Sequence, residues 1–178
     1  DYRGYAGRIA GGIFKKGDEV TVLPSGFTSK VKQIHLMEEE IDEAFAPMSV
    51  AMTLEDEIDL GRGDMIVKTG NQPKVTQDIE VMLCWFSPQG PQVRSKYTLL
   101  HASNEVKAMV KNIHYKLDIN TLHKAEEFGE ISLNDIIKVS LRTTKPIMND
   151  SYRKNRSTGA LILVDESTNE TVAAGMIV

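Results

Sequence analysis

Gly4-Tyr5-Ala6-Gly7-Arg8-Ile9-Ala10-Gly11-Gly12-Ile13-Phe14-Lys15-Lys16-Gly17-Asp18-Glu19-Val20-Thr21-Val22-Leu23-Pro24 decides the fold class. Ile9, Gly11 and Ile13 alternate onto one face, and Val20 and Val22 repeat the pattern in a second run. A period of two marks strands, where a helix would show a period near 3.6. Lys16-Gly17-Asp18 is the turn between them, because Gly17 takes a positive φ at no steric cost. The stretch reads as two strands of one β-hairpin. Glycines in or beside the first run remove side chains from it and mark a bulge or a close approach of another backbone. The stretch contains no nucleophile and no acid–base pair.

Strand signals continue downstream. Lys30 to Leu36 changes phase between Val31 and Ile34, which predicts a bulge. Glu38-Glu39-Glu40-Ile41-Asp42-Glu43 reads as a solvated loop. Met48, Val50, Met52 and Leu54 share one face of a strand, with the methionines as core filler. Met65-Ile66-Val67 closes a first domain, and Thr69-Gly70-Asn71-Gln72-Pro73-Lys74 is the boundary. Val75 to Phe86 is a long strand with Ile79, Val81, Leu83 and Trp85 on one side and Met82, Cys84 and Phe86 on the other. Two apolar faces predict a central position. Arg94 to His101 and Val106 to Leu117 form a hairpin across Ala102-Ser103-Asn104-Glu105. Asp118 to Leu133 is the stretch suited to a short helix. Ile136 to Leu141 is a strand ended by Lys145-Pro146. A polar loop, Asn149 to Gly159, leads into Ala160 to Asp165, a turn at Glu166 to Asn169, and a last strand over Thr171 to Val178. Many short strands and almost no helix predict an all-β chain of two antiparallel β-barrels, over residues 1–70 and 74–178.

The chain has 178 residues, 41% of them hydrophobic, which supports buried cores. No apolar run approaches the roughly 20 residues of a membrane span. The start shows no basic-then-apolar leader and no Met, so the chain reads as a piece of a longer, cytoplasmic protein without a membrane anchor. One cysteine cannot form an internal disulfide, which fits a reducing compartment. Residues 1–70 hold 8 Lys and Arg against 13 Asp and Glu, a net −5; residues 71–178 hold 13 against 12, a net +1. An acidic first half disfavours nucleic acid.

Candidate chemistry is sparse. Glu55, Asp56, Glu57 and Asp59 lack the spacing of a calcium loop. Arg62-Gly63-Asp64 is a strand-entry turn, and the three Asn-x-Ser/Thr matches carry no weight in a cytosolic chain. Cys84 reads as a small packed side chain. His114, Asp118 and His123 lie close in sequence, but zinc needs at least three protein ligands, so structural hydrogen bonding is the preferred role. There is no Gly-x-x-x-x-Gly-Lys-Ser/Thr loop, dinucleotide fingerprint, Gly-x-Ser-x-Gly elbow or Cys-x-x-Cys pair. Arg153, Lys154, Asn155 and Arg156 form the one dense basic cluster, a candidate contact for a partner surface or an anion. No catalytic, cofactor-binding or metal residue is assigned.

Several stretches together carry a resemblance. Asp1 to Ile13 with Lys16-Gly17-Asp18-Glu19-Val20 resembles the second domain of translation-factor-type GTPases. Asp56-Glu57-Ile58-Asp59 with Arg62-Gly63-Asp64, Asp118-Ile119-Asn120-Thr121-Leu122, Leu133-Asn134-Asp135-Ile136, Asp150 with Tyr152, Asn155-Arg156-Ser157-Thr158-Gly159 and Thr168-Asn169-Glu170-Thr171-Val172 with Ala174-Gly175-Met176-Ile177 follow in the order of one family. That family is the GTPase (large) subunit, subunit 1, of bacterial sulfate adenylyltransferase (ATP sulfurylase). The resemblance covers essentially the whole chain. It implies elongation-factor-like domains 2 and 3, the first with an additional strand upstream of Asp1. It implies a parent enzyme, a nucleotidyltransferase. That enzyme couples GTP hydrolysis to formation of adenosine 5′-phosphosulfate and pyrophosphate from ATP and sulfate, in sulfate assimilation. GTP and Mg are implied for an N-terminal GTPase domain that this chain lacks, so this piece alone is expected to be inactive. The implied partners are that domain and the catalytic small subunit. Two alternatives are an elongation-factor-like piece binding aminoacyl-tRNA and a stand-alone scaffold.

Overall fold

The computed structural model describes residues 3–178; Asp1 and Tyr2, which open the first motif of the resemblance, lie outside the described residues. The chain divides after Pro73, and Lys74–Val178 forms a second unit. The described residues are almost entirely β, as the strand periods predict. No helix among them is long and apolar enough to cross a membrane.

The first unit contains β1 (Tyr5–Arg8), β2 (Ile13–Lys15), β3 (Glu19–Leu23), β4 (Thr28–Leu36), β5 (Glu39–Ile41), β6 (Glu43–Phe45), β7 (Ser49–Leu54) and β8 (Met65–Lys68). Its sheet runs β1-β7-β4-β3-β8, with β5 added to β4 and β2 paired with β6 in a separate ribbon. The opening stretch therefore corrects the hairpin expectation. Lys16-Gly17-Asp18 does turn, with Gly17 at φ +85° and the Asp18 N–H donating to the Lys15 carbonyl at 3.1 Å. The strands either side of it do not pair with each other: β2 pairs β6, while β3 pairs β4 and β8. The first run is itself broken near Gly11-Gly12, where Gly12 sits at φ +75°. The break puts Ile9 and Ile13 in different settings, Ile9 buried and Ile13 exposed. The close-approach reading is corrected at Gly7 and Gly12, where a β-carbon would meet nothing within 4 Å.

The predicted bulge is present as a register shift between Val31 and Gln33. Glu39 to Phe45 is not a bare loop but two short strands whose acids point to solvent, Glu43 pairing with Lys15 at 3.1 Å and Glu40 with Lys16 at 3.2 Å. Val20, Val22, Val31, Ile34, Val50, Met52 and Leu54 fill the core. Each such buried side chain contributes about 1.5–3 kcal/mol.

The second unit contains β9 (Lys74–Trp85), β10 (Lys96–His101), β11 (Asn104–Leu117), β12 (Lys124–Ala125), β13 (Ile136–Asn149), α1 (Arg156–Gly159), β14 (Ala160–Val164) and β15 (Thr171–Ile177). Pairing runs β10-β14-β15-β9-β13-β11 and returns to β10, which closes a six-stranded antiparallel barrel. Closure leaves no free edge. β9 pairs with β15 on one side and β13 on the other, as every strand of a closed barrel has two neighbours. Ile79, Val81, Leu83 and Trp85 point inward, and Trp85 stacks edge-on against Tyr97 at 5.7 Å.

Three expectations change here. β13 continues through Lys145-Pro146 to Asn149, because its ladder with β9 skips from Arg142 to Ile147. Proline, lacking an N–H, is accommodated in that irregularity. The β10–β11 turn is only Ala102-Ser103, shorter than predicted, with Ala102 at φ +51°. Asp118 to Leu133 forms no helix; the Asp118 carboxylate accepts from the Asn120 and Thr121 N–H groups at 2.8 and 3.1 Å, and Leu122 sits at φ +58°. Local side-chain bonds of this kind compete with helix formation. The one helical turn among the described residues lies in the polar loop instead, at α1.

Candidate functional site

The basic cluster sits on the connection between β13 and β14, residues 149–160, at the barrel end where β10 and β15 also finish. Neighbouring strands hold this connection firmly. The Tyr152 N–H donates to the Ile177 carbonyl of β15 at 2.9 Å. His101, the last residue of β10, places Nε2 2.7 Å from the Thr158 carbonyl. A carbonyl only accepts, so Nε2 carries the proton in this contact. His101 is 1% exposed and Thr158 2%. Burial pushes the His101 pKa below the ordinary histidine value, while the Thr158 contact works the other way. His101 Nδ1 is buried and has no hydrogen-bond partner among the described residues.

Inside the loop, Asp150 is the hub. Its carboxylate accepts from the Thr158 hydroxyl at 2.9 Å and pairs with Lys154 Nζ at 2.7 Å. The Lys154 and Asn155 N–H groups both donate to the Ser151 carbonyl, at 2.9 and 3.0 Å. Asn155 caps α1, its side-chain oxygen accepting from the Ser157 N–H at 2.9 Å. Gly159 is required by fit: a β-carbon there would overlap the backbone of Ser151 and Tyr152. The Arg156 guanidinium lies 5.9 Å from the centre of the Tyr152 ring, within cation–π range.

The four residues singled out from sequence thus share one loop but not one role. The Lys154 charge is answered by Asp150, and Asn155 is a cap. Arg153 and Arg156 are exposed, and neither has an ion pair among the described residues. Sequence reading missed His101, Asp150 and Thr158 as the supports of this loop. A signal existed for His101, because it continues the inward alternation Tyr97, Leu99, His101 on β10.

The other candidates stay apart. His114 Nε2 is 2.6 Å from the Ser140 hydroxyl, Asp118 caps its own turn, and the His123 carbonyl accepts from the Asp118 N–H at 3.0 Å. Asp56 accepts from the Ser29 hydroxyl at 2.7 Å, and Asp59 pairs with Arg3 at 3.4 Å. Cys84 is a half-buried free thiol on β9. Among the described residues no group of three or more His, Cys, Asp or Glu is placed to hold a metal, and the single helix has four residues, too few for a phosphate-binding N-terminus.

Residues 78–178 match the family described as GTP-eEF1A C-terminal domain-like. The chain is 48% identical over 177 residues to the "Bifunctional enzyme CysN/CysC" of Rhodopirellula baltica (strain DSM 10527 / NCIMB 13988 / SH1), covering 99% of this chain and 27% of that protein. It is 44% identical over 186 residues to "Sulfate adenylyltransferase subunit 1" of Sulfurovum sp. (strain NBC37-1), covering 100% of this chain and 39% of that protein. The chain therefore spans only 27–39% of the length of these relatives. A crystal structure of sup35 complexed with GDP superposes with a TM-score of 0.87 at 21% identity, over 99% of this chain and 45% of that one. At that identity the likeness shows the fold alone.

Proposed function

The chain belongs to the GTP-eEF1A C-terminal domain-like family, and from that premise we propose that it is the C-terminal region of the GTP-hydrolysing subunit of sulfate adenylyltransferase. The single observation that carries this reading is the 44% identity, over the whole chain, to a sulfate adenylyltransferase subunit 1. The whole enzyme forms adenosine 5′-phosphosulfate and pyrophosphate from ATP and sulfate, and GTP hydrolysis drives that step. In this reading GTP and Mg belong to a preceding GTPase domain. The role of the two β-units described above is mechanical. They carry a change of nucleotide state to a catalytic small subunit by contacts that differ between states, which is the general basis of coupled equilibria. The loop bearing Arg153 to Arg156 is the proposed contact with that subunit. A cytoplasmic location accords with the free thiol of Cys84 and with the nucleotide substrates.

The test is pyrophosphate release from ATP and sulfate by the full-length subunit mixed with the catalytic subunit. GTP should raise the rate, and the 178-residue chain alone should neither turn over GTP nor form adenosine phosphosulfate. GTP-independent release would refute the reading, as would tight, salt-sensitive binding of the full-length subunit to aminoacyl-tRNA.

A further inference from the structure

We infer that Arg153 and Arg156, on a loop that the barrel holds in place, bind carboxylates on a partner protein, and that His101 is the residue that positions this loop. The inference deepens the reading above and rests on it, because the partner it names is the catalytic subunit.

Three observations lead there. First, the loop is ordered from both sides before any partner arrives. Tyr152 hangs on β15 through its N–H, Thr158 hangs on His101, and Gly159 leaves no gap beneath Tyr152. Ordering the loop backbone in advance removes part of the entropic cost of binding. Second, the loop's own acid is already used. Asp150 is bonded to Lys154 and to Thr158, so it answers the lysine and leaves the arginines. Third, the two remaining cations are guanidiniums, planar forks that match carboxylates with two parallel N–H donors, and Arg156 is steadied against the Tyr152 ring.

Phosphate on nucleic acid has the same fork geometry, and the balance goes to protein for two reasons. Two guanidiniums answer few phosphates, where non-specific nucleic-acid binding draws on many. The half of the chain that carries the loop is also close to neutral, residues 71–178 holding 13 Lys and Arg against 12 Asp and Glu, so it offers no strongly basic surface to a polyanion.

His101 acts through Thr158 and touches no ligand. It sits 57 residues upstream of Thr158, on a different strand, so the barrel itself sets the loop's position. Asp150 and Lys154 are the charged groups bonded within the loop it supports.

The experiment measures the affinity of the full-length subunit for the purified catalytic subunit as a function of salt. Arg153→Ala and Arg156→Ala should each weaken binding about tenfold and flatten the salt dependence. Lys154→Ala should change affinity by less than about twofold, since its charge is already paired on the surface. His101→Leu should weaken binding as well, and His101→Gln, which keeps a donor for the Thr158 carbonyl, should recover part of the loss. In the Arg153→Ala/Arg156→Ala background, His101→Leu should add no further loss, because a positioning residue has nothing left to position. Unchanged affinity in both arginine variants, with the wild-type pair still binding, overturns the inference and spares the wider reading. Equal losses from Lys154→Ala and Arg153→Ala also overturn it, because they indicate a diffuse charge effect. A wild-type subunit that does not bind the catalytic subunit, or that binds RNA through these arginines, overturns both.

Discussion

A β-carbon added at Gly7, Gly12 or Gly17 in the first unit would enter open space, whereas one added at Gly159 in the second would overlap the Ser151 and Tyr152 backbone, and one at Gly175 would come within 2.5 Å of Leu83. The glycine-rich opening is a place where the chain breaks and turns. Gly90, Gly159 and Gly175 of the second unit are places where two pieces of it touch. Abundance of glycine in a sequence therefore does not locate tight packing. What does locate it is a lone glycine flanked by a strand or a docked loop.

The sharpest way to break this contrast is Gly159→Ala. The obstructing atoms are backbone, so the loop must move, and we expect a loss of about 3 kcal/mol, the upper end of overpacking costs. Trp85 is the chain's single tryptophan and is buried in the second barrel, so its fluorescence in denaturant reports that unit directly. A loss under ~1 kcal/mol would show that the loop yields easily, against the packing described. Gly175→Ala follows. Its nearest obstacle is the Leu83 Cδ2 atom, the end of a flexible side chain, with the Met82 carbonyl next at 3.1 Å. The expected loss is about 1–2 kcal/mol, and the same fluorescence transition measures it.

Most of the architecture was legible because strand alternation is a direct consequence of one buried face. β7, β8, β9 and β15 announce themselves through Val50-Met52-Leu54, Val67, Ile79-Val81-Leu83-Trp85 and the run after Thr171. Pairing was less legible. β2 and β3 follow each other across a proper turn, yet each finds its partner elsewhere, since a strand's neighbour depends on the sheet's whole order. Pro146 misled in a similar way, since a proline stops a ladder only where a hydrogen bond is required. The basic loop was visible as charge but not as structure. Which of its cations is free depends on Asp150, Tyr152 and Thr158, and on a histidine far upstream, and no local pattern encodes that last contact.

A smaller effect separates the units by pH. His101 has a depressed pKa because it is buried, so the unfolded chain takes up a proton near pH 6.5 while the native chain resists. Its contribution to stability is complete above that value and declines as pH falls toward the lower native pKa, by at most about 1.4 kcal/mol per pH unit. In the first unit, burial raises the Asp18 pKa but Lys68 and the Lys15 N–H outweigh it, so the carboxyl is lowered from 3.8. Its contribution is present above that value and lost only in stronger acid. Between pH 7 and 5 the second unit should therefore weaken more than the first from these two sites, and His101→Gln should remove the difference. Equal slopes for wild type and variant in the Trp85 transition would contradict this.

The mildest changes are expected in the opening stretch. Gly12→Ala places a side chain at φ +75° and should cost about 1 kcal/mol by backbone strain alone. Gly7→Ala, on β1 with nothing nearby, should stay within about 0.5 kcal/mol of wild type. Thermal unfolding followed by circular dichroism orders the two, and a larger cost at Gly7 would mean that its surroundings are not open.

The central claim is that the loop carrying Arg153 and Arg156 is fixed by the barrel before anything binds it. Amide hydrogen exchange at Tyr152 tests it most directly, because that N–H is the link to Ile177 on β15. Protection at Tyr152 is expected on the scale of the barrel strands, with a marked drop in His101→Leu. Exchange at Tyr152 as fast as in an open chain would contradict it.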